Sequence, residues 1–547
     1  MECAWGRVVR ASDWIPCGIE ASAAYPDPMP PLLSLDLGTS SAKAALIDLD
    51  GHALALASAS YPTLTTTDGG AEQDPTDWLR AARTAIAQVL PRADGVAALC
   101  LTGQMQDLIL EGGNGPVRPA VLYSDLRAAA EAEQIRQELA RDGGNWDLLA
   151  GNRQDASSCA AMFRRLTRVE SSTTGRARGL TFGPAGHLAH RLGAGRWCDP
   201  TTASTTGLLD ARTREWSPEI ACAAGIDMAL LPRLTNGVGR IVGRTGASAR
   251  DLLGLDAGVP IVLAPGDAGS AALGVTGTAP GRDHASLGTS GWIASIRPAS
   301  GRSATESDAS HRLALGDHEL RISAVLAAGA AAAWAREAFL HGAGPAEADA
   351  LLEARECEHG RGPTGLLVLP SLGGERYPVR DDALRGAVLG LDASTRPMDL
   401  YAATLEGVAL ALSHALEPTE GEVAGPGSGH TAPTASTVPL TVIGGGAVSA
   451  PWRRILADAT GRPVHSMARN GRAAGAWAAA TDEVDATLLG AAIAGAEALR
   501  RPHRIAPLTE RGGDLTEPDP ASTGAYARLR PAHRTLYDAA AQIGRLR

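Results

Sequence analysis

Leu32-Leu33-Ser34-Leu35-Asp36-Leu37-Gly38-Thr39-Ser40-Ser41-Ala42-Lys43 is an apolar run interrupted by one acid, then a polar turn, then the start of a second apolar run that continues to Leu49. Short apolar segments bounded by Gly, Thr and Ser read as strands. Residues 32–37 and 42–49 are therefore a strand pair joined through Gly38-Thr39-Ser40-Ser41. Asp50-Gly51 is a hairpin turn signal, and a third strand follows near 53–58. Residues 75–90 have helical spacing with a proline at the start and Asp74 as candidate cap. Residues 96–102 form a further strand. The order is β-β-β-α-β, which excludes a repeating βαβ array.

The same grammar returns later in the chain. Residues 260–264 read as a strand, Pro265-Gly266-Asp267 as a turn, and 267–277 as a small-residue helix. Strands at 284–287 and 292–296 flank Gly288-Thr289-Ser290-Gly291. A polar turn between two strands thus occurs once per half, which points to a duplicated fold. Residues 440–443 form a strand leading into Gly444-Gly445-Gly446-Ala447. Helices are expected at 401–416, 452–460, 471–480 and 526–545. Residues 418–439 and 516–524 are polar spacers rich in turn formers. Residues 1–30 lack periodicity and read as a flexible or non-native extension, with the ordered protein starting near Met29.

Composition narrows the class. The 547 residues are 44% apolar and 20% charged, with net charge −10 and a pI near 5.8. Such a balance fits a globular protein and excludes collagen, coiled coil and a small disulfide scaffold. No basic footprint for nucleic acid is present. The longest apolar stretch, residues 324–334, falls short of the roughly 20 residues a bilayer span needs. Seven cysteines lie scattered without a C-x-x-C pair, as in a reduced cytoplasmic protein with no zinc site. Lys43 is the only lysine among the 50 Lys and Arg residues. A functional role and chance retention on a surface strand are both open readings of it.

The turns carry the chemistry. A strand ending in Asp-Leu-Gly-Thr-Ser-Ser offers consecutive N–H groups and hydroxyls that can cradle a phosphate. Gly38, Thr39, Ser40 and Ser41 are its candidates, and a simple hairpin turn is the plain alternative. Asp36 can hold a hydrated Mg2+, a hard cation suited to carboxylate oxygen. Lys43 can bring a point charge toward a transferring phosphoryl group. Gly288, Thr289 and Ser290 repeat this chemistry. Gly445, Gly446 and Ala447, between a strand and a helix, permit close approach of a base and ribose. Trp78, Trp216 and Trp334 read as packing residues, and Arg164-Arg165 and Arg453-Arg454 as solvated helix faces.

Taken in order, these segments resemble the FGGY family of carbohydrate kinases, in particular its xylulokinase-like branch. The likeness runs from about Leu32 to Ala480. It rests on 36–43, Glu72-Gln73-Asp74-Pro75, Gly103-Gln104-Met105, Asp199-Pro200-Thr201 to Asp210 and Gly266-Asp267-Ala268-Gly269. It continues through 286–291, Gly374-Glu375-Arg376-Tyr377-Pro378, Leu405-Glu406-Gly407-Val408 and 444–447, and closes with 452–458. The resemblance implies an α/β architecture of two actin-like, ribonuclease-H-type domains with a cleft between them, each built on a five-stranded sheet. Residues 31–278 would bind the sugar and 279–547 the ATP.

Asp267 matches the family's catalytic aspartate, which would accept the proton of an attacking sugar hydroxyl. A helix N-cap is its plain alternative. Gln104, Met105 and Gln106 match sugar-contacting positions. Three departures bear on the substrate: the family's Gln-Met-His-Gly stands here as Gln104-Met105-Gln106-Asp107, its Asp-Asn as Asp267-Ala268, and its Pro-Lys-Asp-Tyr as Pro184-Ala185-Gly186-His187. A lost hydrogen-bond partner can shift discrimination by orders of magnitude. Asp107 would bind a hydroxyl or cap the following strand. The implied activity is ATP- and Mg2+-dependent phosphorylation of a ketose, D-xylulose first. Ribulose, sedoheptulose, gluconate or a polyol are alternatives, and a non-catalytic actin-like sugar sensor is a further one. Small-molecule sugar and ATP are the implied partners, and homodimers are common in the family.

Overall fold

The structure, a computed structural model, describes residues 30–299, 309–417, 438–467 and 485–544. The expected extension at 1–29, most of the 418–439 spacer and the 471–480 helix lie outside the described residues.

Leu32–Leu37 is buried at every position. Continuous burial, in place of alternation, follows when both faces of a sheet are covered. The strand lies in a six-stranded sheet ordered Arg240–Arg244, Pro260–Leu263, Ala98–Gly103, Leu32–Leu37, Ser41–Ile47, Ala53–Ser60. It pairs antiparallel with Ser41–Ile47, Asp36 opposite Lys43, and parallel with Ala98–Gly103, Leu37 opposite Gly103. The helix Pro75–Val89 covers one face through Trp78, Ala82, Ile86 and Val89. Asp74 caps it, accepting from the Thr76 N–H at 2.9 Å.

The second sheet repeats this plan. Its order is His311–Leu315, His318–Val325, Gly291–Pro298, Asp283–Leu287, Leu440–Ile443, Val464–Ser466, Asp514–Thr516. Asp283–Leu287 again pairs antiparallel with the strand after the turn and parallel with the later one. The five-stranded expectation is corrected at the edges. Each half has the five-strand core, to which Arg240–Arg244 adds one antiparallel edge in the first sheet, while His311–Leu315 and Asp514–Thr516 add two in the second. The expected spacer at 516–524 is shorter than read, because the last helix starts at Pro520 and runs to Gly544. A smaller sheet of Leu64–Thr65, Ala71–Gln73, Ala120–Val121, Leu108–Glu111 and Gly179–Phe182 carries its own apolar cluster.

Two helices tie the halves together. Asp267–Thr276 follows the first sheet in sequence and lies between the two, Leu273 packing with Ile47, Ala98 and Val262 of the first and Ala272 with Ala294, Ile296, Leu313 and Leu320 of the second. Ala486–Ala498 follows the second sheet, yet Leu488, Leu489 and Ile493 pack with Leu32, Ile47, Ala98 and Val262 of the first. The two helices meet backbone to backbone. A Cβ on Gly274 would fall 1.9 Å from the Ala486 carbonyl oxygen, and one on Gly490 would fall 1.8 Å from that of Ser270. Neither obstacle is a flexible side chain, so the crossing requires both glycines. Gly490→Ala is expected to destabilise the protein by at least about 3 kcal/mol, the upper end of overpacking costs, as read from urea unfolding midpoints.

Candidate functional site

The crossing sets two aspartates at the starts of the two helices. Gly266 is the N-cap of the first, and Asp267 is its first helical residue, so the plain N-cap reading of Asp267 is corrected. Its Oδ1 accepts from the Ala268 N–H at 2.7 Å. A carboxylate in this first turn is favoured by the helix dipole. Burial nevertheless pushes its pKa up to about 6, and Asp199 adds to the rise, while the Ala268 hydrogen bond and Lys43 oppose it. Asp485 caps the second helix, accepting from the Thr487 N–H at 2.9 Å.

Lys43 joins these groups. Its Nζ donates to Asp485 Oδ2 at 2.8 Å and lies 3.9 Å from Asp36 Oδ2. Burial alone would lower its pKa, but Asp485, Asp36 and Asp267 together hold it above the ordinary value. Asp36 is buried at the end of its strand. Desolvation raises its pKa to about 7; Asp485 and Asp267 push the same way and Lys43 against. Its Oδ1 has no hydrogen-bond partner among the described residues. A buried, orphaned carboxylate oxygen in an electronegative cluster fits a hard divalent cation.

The first turn is held from behind. Tyr61 Oη donates to the Gly38 carbonyl, the Tyr61 N–H to that of Ser40 at 3.1 Å, and Gln73 Nε2 to that of Thr39 at 2.8 Å. The Thr39 and Ser40 residues are exposed, and their N–H groups have no acceptor among the described residues. Its acceptors are thus occupied and its donors open, as an anion cradle requires. The second turn is anchored similarly, with the Gly288 carbonyl accepting from Gly329 and the Thr289 carbonyl from Ala328 and Ala330. The third lies against it. A Cβ on Gly446 would fall 2.7 Å from Leu287 Cβ, and one on Gly445 would meet open space. Arg453 fastens this turn from below, its Nη1 donating to the carbonyls of Ala447 at 2.6 Å and Val448 at 3.0 Å. It is buried, which corrects the solvated-face reading. Trp334 is corrected in the other direction, being 45% exposed.

Gln104, Met105 and Gln106 leave the Ala98–Gly103 strand toward Asp267. Met105 fills the space above Gly266, where a Cβ would meet its Cγ at 2.3 Å. Gln104 is buried, its Nε2 donating to Gln73 Oε1 at 2.9 Å while its Oε1 has no partner among the described residues. Gln106 takes a positive φ of 66° and turns its side chain to Ser157. Asp107 is fully buried. Its Oδ1 accepts from the Tyr123 N–H at 3.2 Å, on a neighbouring segment, so it does not cap the strand that follows it. Asp199 ties the floor together by accepting from Thr202 at 2.9 Å and Gly266 at 3.0 Å.

The structure thus brings Asp36, Lys43, Asp267 and the first turn into one group, and the second and third turns into another. No hydrogen bond or ion pair joins the two groups among the described residues. Asp485 escaped sequence reasoning. Its signal was an Asp directly before the apolar run 486–498, the ordinary mark of a helix start.

Comparison with known proteins shows the family. The model of the FGGY family of carbohydrate kinases, N-terminal domain, matches residues 32–274, and that of its C-terminal domain matches 285–499. The chain belongs to the FGGY family of carbohydrate kinases and is a carbohydrate kinase. It is 30% identical over 440 residues to a xylulose kinase of Streptomyces rubiginosus, covering 80% of this chain and 84% of that one. It is 27% identical over 436 residues to the xylulose kinase of Escherichia coli, covering 79% and 85%. Among solved structures, xylulose kinase from Rhodospirillum rubrum superposes with a TM-score of 0.79 at 24% identity, over 94% of this chain and 99% of that one. Gluconate kinase from Lactobacillus acidophilus gives 0.77 at 22%, over 93% and 98%. No described helix is long and apolar enough to cross a membrane.

Proposed function

We propose that this kinase transfers the γ-phosphoryl group of ATP to the terminal hydroxyl of a ketose, with D-xylulose the first candidate, and that Asp267 is the general base. The observation that carries this is the convergence of Asp267, Lys43 and Asp36 where the two helices cross. Several relatives being xylulose kinases supports the sugar.

Asp267 would take the hydroxyl proton as the bond to phosphorus forms. A pKa near 6 suits that task, since the carboxylate is ionised at neutral pH yet more basic than an ordinary aspartate. Lys43 would face the negative charge of the transferred group, and Asp485 would hold the ammonium in place. The open N–H groups of 39–40, with 288–290 and 445–447, would hold the phosphates. Residues 31–278 would take the sugar and 279–547 the nucleotide, with Gln104, Met105 and Gln106 against the sugar. Asp36 would hold Mg2+, which supplies charge neutralisation to the phosphates when bound.

Gln106 and Ala268 favour a second reading in which the acceptor is another sugar, aldonate or polyol, because both family side chains they replace are absent. ADP release measured across ketoses, aldonates, aldoses and polyols decides. Stimulation by D-xylulose at least about tenfold above the next sugar, a specificity one hydrogen-bond contact readily supplies, is the expected result. Stimulation by another acceptor alone would reassign the substrate, and no stimulation by any would discard the kinase reading of this site.

A further inference from the structure

Gln106 is not free to choose its orientation. Its Nε2 donates to the Ser157 carbonyl at 2.7 Å and to Ser157 Oγ at 2.9 Å. A backbone carbonyl only accepts, so the atom facing it must be the amide nitrogen. The Gln106 side chain borders a polar cavity of about 60 Å³, with Asn152, Asp155, Ser158, Ser204 and Thr205 among its walls. Its nitrogen is committed to Ser157, which leaves Oε1 as the atom with hydrogen-bonding capacity to spare, an acceptor for a ligand hydroxyl.

Ser157 is itself held. Asp155 Oδ1 accepts from its N–H at 2.9 Å and its Oγ at 2.6 Å. The other oxygen, Asp155 Oδ2, accepts from Arg380 Nη2 at 3.1 Å. Arg380 stands 225 residues away, on a segment built from the second half. Buried Glu375 anchors that segment, accepting from the Leu326 N–H at 2.9 Å and from Ser371 Oγ at 2.7 Å, and Glu375 also bridges Asp381. An unbroken chain of polar contacts therefore runs from the second half to the strand exit of the first: Arg380, Asp155, Ser157, Gln106.

We propose that Arg380 is a positioning residue for the sugar, fixing through Asp155 and Ser157 the orientation in which Gln106 presents its amide oxygen. This rests on the sugar-kinase reading above. The contact spans the two halves, so sugar affinity depends on how far apart they stand. The Arg380 and Asp155 side chains are 19% and 44% exposed, so salt screens this ionic first link, while the remaining links, half-buried and made through uncharged Gln106 and Ser157, feel less of it.

The test compares wild type with Arg380→Met, Arg380→Lys, Asp155→Asn and the Arg380→Met/Asp155→Asn double variant. Arg380→Met is expected to raise the sugar KM about fivefold, the low end of coupling between sites, with kcat and the ATP KM unchanged. Arg380→Lys restores most of the loss. The double variant is no worse than either single one, and the rise of sugar KM with ionic strength expected of wild type disappears in Arg380→Met and in the double variant. Amide hydrogen exchange at residues 103–108 is measured on the same proteins without substrate, and is expected to quicken in Arg380→Met although the change lies on the other half. Unchanged exchange there, or a KM rise shared equally by ATP, overturns the proposal. Faster exchange in a protein that no sugar stimulates supports the polar chain and removes the sugar-kinase reading it serves.

Discussion

Asp267→Asn lowers kcat by roughly 10²–10⁴-fold, the range a positioned general base contributes, while the ATP affinity measured by calorimetry stays as it was. Asparagine keeps an oxygen for the Ala268 N–H, so the helix start survives and the loss is chemical. The pH profile separates this from a misfolded site. The Asp267 carboxyl titrates near 6, raised above its unfolded value, and the base works only when ionised. Wild-type kcat/KM therefore climbs with pH through about 6 and levels above it. The residual activity of Asp267→Asn lacks that limb. A variant that lost activity but kept the limb would refute the assignment. The same raised value opposes stability at high pH. The folded state holds its proton longer than the unfolded chain, so this group stabilises below its unfolded pKa and that contribution is lost as pH passes the folded value.

Lys43→Met costs about 10²–10³ in kcat, the scale of removing one electrostatic donor aimed at developing charge. It also strands Asp485 and Asp36, which lose their shared cation. The double variant Lys43→Met/Asp485→Asn should therefore recover thermal stability while activity stays low. Recovery of both would make Lys43 a merely structural neighbour of Asp485. Uniqueness offers a second check. With one lysine in the chain, amine-selective reagents have Lys43 and the terminal amine as their sites, and ATP with Mg2+ is expected to slow modification at Lys43 alone.

Much of the fold was legible because duplication left two copies of one local signal. Strand, polar turn, strand stands at 32–47 and again at 283–298, and each copy strengthens the reading of the other. The FGGY order of the motifs then supplied the two-domain plan and a candidate base. What stayed hidden was nonlocal. The Gly274–Gly490 crossing has no signature in either helix alone, because a small residue within an Ala-rich stretch fits any packing partner. Arg453 looked solvated since helix periodicity takes no account of carbonyls left open by the turn before it. Trp334 does pack edge-on against Phe339 of its own helix, but spacing alone did not show that it lies off the core face. Gln106 was placed in the sugar site by alignment of motifs, but its hold on Ser157 depends on a loop 51 residues away.

The crossed helices carry a consequence for how this protein can be divided. A polypeptide severed in the link between Gly277 and Asp283 would give a first fragment without the 486–498 helix that fills its core, and a second fragment that displays that helix's apolar side and lacks Ala272. Neither should be soluble on its own, whereas co-expressed fragments should reassemble and regain phosphotransfer. The two halves are thus mutually dependent, and the two parts should be shuffled between relatives only as a matched set.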